Sequence, residues 1–256
     1  MKRLRRIFRA DGKTVIIAVD HGMGLSVNPE LDNTGEILEK IIAAGADAIL
    51  TTYGIACKYE DILQDVGLII RVDGGGSILT NGNNAPRLLF DVEDALRIGA
   101  DAVVCMGCPG APYEHATMQN LTDLVKQGQT WKVPVVAEML PGGFSDEPPN
   151  TPENIALVTR IGCEYGADII KTTYSGTPEE FKKVIAASFK PVVVLGGEKT
   201  KDLPSLFDCI EIALDCGAAG VAIGRNVWKH SDPGKVTAAL VELVHNGKKA
   251  AELEVI

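Results

Sequence analysis

Hydrophobic positions along this chain fall in short unbroken runs, separated by longer stretches with helical spacing. Eight runs, at 14–19, 48–52, 68–72, 102–105, 133–137, 169–172, 192–195 and 221–223, show no polar alternation. Such runs predict parallel strands covered on both faces. The intervening patterns predict helices at 34–44, 92–98, 114–127, 152–165, 178–187, 205–216 and 233–246, and 55–66 reads as a shorter helix or turn. Thr151-Pro152-Glu153 and Thr177-Pro178-Glu179 mark two helix starts. In each, a threonine caps, a proline supplies the φ of the first turn, and an acid faces the positive end of the helix dipole.

A repeated motif orders these elements. Ala44-Gly45-Ala46-Asp47, Ile98-Gly99-Ala100-Asp101, Tyr165-Gly166-Ala167-Asp168 and Cys216-Gly217-Ala218-Ala219 precede the second, fourth, sixth and eighth runs. Glycine there ends the preceding helix in the left-handed conformation. Recurrence at every second strand–helix unit predicts one closed α/β barrel, a TIM (β/α)8 fold spanning 1–256 as a single domain with a short N-terminal helix. Such barrels take ~250 residues. The alternative, an open doubly wound sheet, would carry a nucleotide-binding fingerprint. Gly22-Met23-Gly24 lacks the third glycine, and 195–200 lacks Walker spacing.

Composition narrows the class. Of 256 residues, 46% are hydrophobic and 23% charged, which excludes wholesale disorder. Glycine is abundant at 27 residues while aromatics are 5%, as suits many tight strand–helix junctions. A net charge of −9 leaves no basic footprint for nucleic acid. No apolar run approaches the ~18–20 residues of a membrane span. Lys2, Arg3, Arg5, Arg6 and Arg9 precede no apolar secretory segment, so they read as a short basic helix. The six cysteines are then expected to be reduced thiols of a cytoplasmic protein. Cys105 and Cys108 have CxxC spacing but no second pair, so they read as a strand-end coincidence rather than a metal site.

In a barrel the working residues stand at the C-terminal ends of strands. Here these ends deliver Asp20-His21, Asp73 followed by Gly74–Gly76, Glu138, Lys171, Gly196-Gly197 and Gly224-Arg225-Asn226. Lys171 is the most informative. An ammonium inside a packed sheet is costly unless it points into the barrel mouth. Desolvation there favours the neutral amine, a nucleophile for ketones. Two readings stay open: a Schiff-base lysine, or a lysine salt-bridged at the strand end. The glycines after strands seven and eight, with Arg225, suit a phosphate cradle, because barrels often bind phosphate on these two loops. Asp20 is a candidate proton shuttle, an anchor for a substrate hydroxyl, or an orienting group for His21 or Lys171. Asp73, beside its glycines, is expected to face substrate. Tyr174 reads as packing rather than as an acid.

These residues resemble a known family. Val19-Asp20-His21-Gly22, residues 166–176 around Lys171, 191–197 and 217–226 look like the archaeal-type class I fructose-bisphosphate aldolases, of the DeoC/FbaB-type aldolase family. Aminodideoxyheptulosonate synthase and an autoinducer-2 thiolase belong to the same family. The resemblance covers the chain from the first strand to the last helix. It implies a TIM barrel that needs no metal or cofactor and forms a Schiff base between Lys171 and a phosphorylated ketose. It implies proton handling by Asp20 and phosphate binding by Gly196, Gly197, Gly224 and Arg225; from their strand-end positions Asp73 and His21 are the further candidate substrate contacts, His21 with a packed, hydrogen-bonded histidine as the open alternative. It also implies a homo-oligomeric ring, in some members a decamer. One departure stands out. After strand five such enzymes usually show Tyr-Pro-Arg-Gly, the tyrosine working as acid/base, whereas this chain has Leu140-Pro141-Gly142-Gly143. Glu138 is the candidate replacement, with burial expected to raise its pKa toward the working range. The loop at 23–33 departs as well. The first reading is therefore a Schiff-base aldolase, with fructose 1,6-bisphosphate as the expected ketose. The alternatives are an acyl- or ketol-transferring relative and a non-catalytic phosphate-ligand binder.

Overall fold

The computed structural model describes residues 1–22, 28–74, 76–77, 79, 86–143, 145, 147–196 and 202–253. Eight strands close into a parallel barrel: β1 (Thr14–Ala18), β2 (Ala48–Thr52), β3 (Gly67–Arg71), β4 (Ala102–Gly107), β5 (Val135–Met139), β6 (Ile169–Thr172), β7 (Val192–Leu195) and β8 (Gly220–Ile223). Around the barrel they run β1-β8-β7-β6-β5-β4-β3-β2, the expected TIM topology. Among the described residues ten α-helices accompany them: α1 (Thr34–Ala43), α2 (Tyr53–Lys58), α3 (Glu60–Leu63), α4 (Val92–Arg97), α5 (Glu114–Trp131), α6 (Pro152–Glu164), α7 (Pro178–Ala187), α8 (Leu203–Asp215), α9 (Arg225–Trp228) and α10 (Pro233–His245). Both predicted threonine caps are made, Thr151 to Asn154 N and Thr177 to Glu180 N.

Several elements differ from the sequence expectation, β4 among them, which runs two residues beyond 102–105. β5 starts two residues late because Pro134 has no N–H to give the ladder. α5 runs one turn longer, ending where Lys132 turns left-handed at φ 57°. The 55–66 segment is two short helices, α2 and α3. A two-residue ribbon pairing Asp73–Gly74 with Arg87–Leu88 had no visible pattern in the sequence.

Alternation along each strand sorts side chains into two cores. One set faces the outer helices. The other fills the barrel: Ile16 and Ala18 of β1, Ala48 and Leu50 of β2, Ile69 of β3, Ala102 and Val104 of β4, Val136, Ile169, Val193 and Ala222. Ile7, fully buried, joins this interior set, so the N-terminal 3-10 turn (Lys2–Arg6) plugs the bottom of the barrel. The motif aspartates sit on the same face. Asp47, Asp101 and Asp168 accept the N–H of Val15, Leu68 and Val135, each on the preceding strand. The glycines before them are left-handed, with φ of 96°, 79° and 97°. Arg6 Nε donates to Asp101 at 3.0 Å, and Arg9 pairs with Asp47. The basic N-terminus is thus a set of clamps on the barrel floor.

Truncating Ile7 to Ala removes the interior plug without touching the mouth. The expected cost is ~2–4 kcal/mol, read as a lower Tm in thermal unfolding. An unchanged Tm would contradict the plug.

Candidate active site

The same inward positions that are apolar low in the barrel turn charged near its mouth. Two residues beyond Ile69 stands Arg71, and two further Asp73. Two beyond Val136 stands Glu138, two beyond Ile169 stands Lys171, and two beyond Ala18 stands Asp20. Relative exposure is 9% for Asp20 and Arg71, 5% for Lys171, 4% for Glu138 and 1% for Asp73. Burial on this scale demands pairing, and the pairing is complete. Arg71 donates from Nε to Asp20 Oδ2 at 2.5 Å, from Nη1 to Asp73 Oδ1 at 3.1 Å, and from Nη2 to Glu138 Oε2. The other oxygen of Glu138, Oε1, lies 2.8 Å from Lys171 Nζ. β5 and β6 set this contact, since Glu138 and Lys171 are register partners.

The cluster holds three carboxylates and two cations, and its neighbours decide their ionisation. Burial opposes charge on Asp20, but Arg71 and then Lys171 outweigh it and hold the carboxyl below its ordinary value of 3.8. Burial likewise opposes charge on Glu138, and Lys171 and Arg71 outweigh it, so its pKa falls below the ordinary 4.5. The expectation of a raised Glu138 is therefore overturned: it was drawn from burial alone, without the two cations beside it. Asp73 is the opposite case, pushed up because burial exceeds the pull of Arg71 and of the Met106 N–H. Both its oxygens are occupied, Oδ2 by Met106 N at 2.7 Å.

Next to this cluster stands His21. Its Nδ1 is buried without a hydrogen bond and faces Asp20 Oδ1 at 3.5 Å. Desolvation lowers its pKa against the pull of Asp20, so the ring is neutral near pH 7. Trp228 meets the ring edge to face at 5.4 Å, and its indole N–H donates to Ala18 O. Gly224 is obligatory here, since a Cβ would lie 2.3 Å from His21 Cε1 and 2.6 Å from Ala18 O. The side chain of Asn226 donates to Gly196 O at 3.1 Å, tying the end of β7 to the loop after β8. Gly197 lies outside the described residues, as do 23–27 of the departing loop. Tyr174 packs on Phe181, with ring centroids 4.7 Å apart, in the outer core.

A sequence model of the DeoC/LacD family of aldolases matches residues 14–230. The chain belongs to this family. It is 35% identical to the class 1 fructose-bisphosphate aldolase of Thermoproteus tenax, over 98% of this chain and 97% of that one. It is 36% identical to the 2-amino-3,7-dideoxy-D-threo-hept-6-ulosonate synthase of Halobacterium salinarum, over 95% of this chain and 91% of that one. The crystal structure of an archaeal fructose 1,6-bisphosphate aldolase superposes with a TM-score of 0.87 at 34% identity, covering 96% of this chain and 99% of that one. A further archaeal aldolase structure, with its catalytic lysine covalently bound to the carbinolamine intermediate of the substrate, superposes at 0.86 and 33% identity, covering 95% and 98%.

In this DeoC/LacD aldolase the strand-end residues singled out from sequence at β1, β3, β5 and β6 meet in one cluster. The residue that joins them, Arg71, was not singled out. Its signal was present: a guanidinium inside an apolar run poses the same problem as Lys171. The thiols of Cys105 and Cys108 are both buried, Cys105 being pushed well above its ordinary pKa and Cys108 up to about 12 by burial. Among the described residues no group of three or more His, Cys, Asp or Glu is placed to hold a metal ion.

Replacing Arg71 with Met strands three buried carboxyls. The expected loss is ~3–5 kcal/mol of stability. Linkage gives the sign: Asp20 and Glu138, depressed in the folded state, stabilise above their ordinary values of 3.8 and 4.5, and that stability is lost as pH falls through the folded values. In Arg71→Met that contribution is missing, so the deficit against wild type should be largest near neutral pH and narrow as pH falls through the folded values. A deficit that stays constant or widens with acid, in denaturant unfolding followed by circular dichroism, would contradict this.

Proposed function

We propose that this lyase works as a class I aldolase through Lys171 and cleaves a phosphorylated ketose. The observation that carries the reading is the 2.8 Å contact between the buried Lys171 Nζ and Glu138 Oε1. It gives the lysine a partner able to take its proton. In the reaction Glu138 accepts a proton from the ammonium, and the freed amine attacks the ketone carbon. The carbinolamine hydroxyl takes a proton and leaves as water, giving an iminium. A base removes the proton of the C4 hydroxyl, the C3–C4 bond breaks, and its electron pair moves to the iminium as an enamine. The aldehyde departs, C3 is protonated, and water returns the free ketone and Lys171. Glu138 rests ionised, so it enters as a base. Asp20, held by Arg71 on one oxygen and facing His21 with the other, is assigned the hydroxyl proton. Gly196, Gly197, Gly224 and Arg225 are assigned the phosphate at C1, beside the neutral His21.

Fructose 1,6-bisphosphate is the reference ketose, because the class 1 aldolase relative is named for it. Cleavage of that sugar would place the protein in cytoplasmic glycolysis, and the resemblance adds a homo-oligomeric ring. No helix among the described residues is long and apolar enough to cross a membrane.

Incubation with dihydroxyacetone phosphate followed by borohydride should leave a reduced adduct on the Lys171 peptide, and none in Lys171→Arg. Turnover should survive EDTA. The absence of any adduct with a panel of ketose phosphates would overturn the lysine mechanism.

A further inference from the structure

The barrel mouth is divided. On the β8–β1–β3 side stand Gly224, Asp20 and Asp73. On the β4–β5–β7 side the inward positions level with the charged cluster and one step above it are apolar. Met106 follows Val104, Leu140 follows Glu138, and Leu195 follows Val193, each by the two-residue period of a strand. Met106, Cys108, Ala111 and Leu140 form one buried cluster, with Leu195 and Tyr113 packed on it. This wall offers a second anion no charged partner. The sequence has no lysine or arginine from 73 to 86, from 106 to 125, or from 139 to 159. These stretches cover the loops after β4 and β5 and most of the loop after β3, whose far end carries the exposed Arg87, paired through its backbone with Gly74. They carry Glu114, Asp146 and Glu147 instead. The imidazole there, His115, is exposed in the first turn of α5. The left-handed Gly142, at φ 64°, leaves no room for a longer residue, since a Cβ would lie 2.2 Å from Glu147 O. Cations after strands seven and eight are Lys199, Lys201, Arg225 and Lys229. Arg71, the guanidinium inside the barrel, is engaged by three carboxylates.

We propose that the aldolase recognises its ketose by the phosphate at C1 alone, and that the aldehyde half, from C4 onward, lies against the apolar wall of Met106, Leu140, Leu195 and Tyr113 as an uncharged chain. This rests on the Schiff-base reading. A phosphate dianion at the far end would be desolvated against aliphatic carbon, beside loops after β4 and β5 that carry acids and no lysine or arginine. Its presence on the sugar earns no binding, so ketose 1-phosphates and short uncharged aldehydes are the matched substrates.

The test compares fructose 1-phosphate with fructose 1,6-bisphosphate by kcat/KM on the wild-type protein. Fructose 1-phosphate is expected to equal or exceed the bisphosphate, or to fall below it by no more than about threefold. A larger advantage for the bisphosphate overturns the inference. Leu140→Arg, checked for folding by circular dichroism, should move the ratio toward the bisphosphate by about tenfold or more, and an unchanged ratio counts against the wall. His115→Ala should leave the ratio unchanged; a selective loss of bisphosphate cleavage assigns the far phosphate to His115 and overturns the proposal. Borohydride trapping with dihydroxyacetone phosphate separates the two levels. No adduct on Lys171 sinks the underlying mechanism, whereas an adduct with a strong bisphosphate preference sinks only this inference.

Discussion

Three buried carboxylates on three strands would repel one another if Arg71 were absent. Its guanidinium has the fork of donors needed to meet all three at once, and a lysine ammonium on its flexible stem has no such fixed fork. That contact decides the rest of the site. It holds Asp20 and Glu138 ionised against burial, and it fixes Glu138 so that its second oxygen points at Lys171. The chemistry of Lys171 is therefore set in part from β3, on the other side of β4 and β5. Asp73 takes the excess: with its oxygens held by Arg71 and Met106, it is the carboxyl whose pKa rises.

The two ends of the barrel use aspartate for opposite purposes. At the bottom, Asp47, Asp101 and Asp168 accept strand N–H groups, and the N-terminal arginines clamp two of them, so charge there serves register and closure. At the mouth, Asp20 and Asp73 are held by a side chain from the barrel interior. Stability and reactivity thus occupy separate faces, joined through alternate inward positions of the same strands. Ile69, Arg71 and Asp73 make the transition from packing to chemistry within five residues.

Much of this was legible in the sequence for identifiable reasons. Strands buried on both faces cannot afford alternation, so β1 to β8 showed as apolar runs. The Gly-Ala-Asp repeat was visible because ending a helix with a left-handed residue and bonding the neighbouring strand constrain the same four positions each time. Lys171 stood out as a charge in such a run. Arg71 went unmarked within the run at 68–72, and its meaning depended on carboxylates 51 and 67 residues away in sequence. The ionisation of Glu138 was misjudged for that reason: burial can be read from a strand pattern, but the identity of the neighbours across the barrel cannot. The basic N-terminus likewise acquired a role only when Asp47 and Asp101 proved to lie beneath it.

The account turns on Glu138 as the proton acceptor for Lys171, in a site whose strand-five tyrosine position holds leucine. The direct measurement is the rate of Schiff-base formation with dihydroxyacetone phosphate, followed by rapid mixing and borohydride quench, in wild type and in Glu138→Gln. The account predicts that the amide forms the adduct more slowly by ~100-fold or more, while still binding the ketone phosphate. A Glu138→Gln protein that forms the adduct within about threefold of the wild-type rate would contradict it.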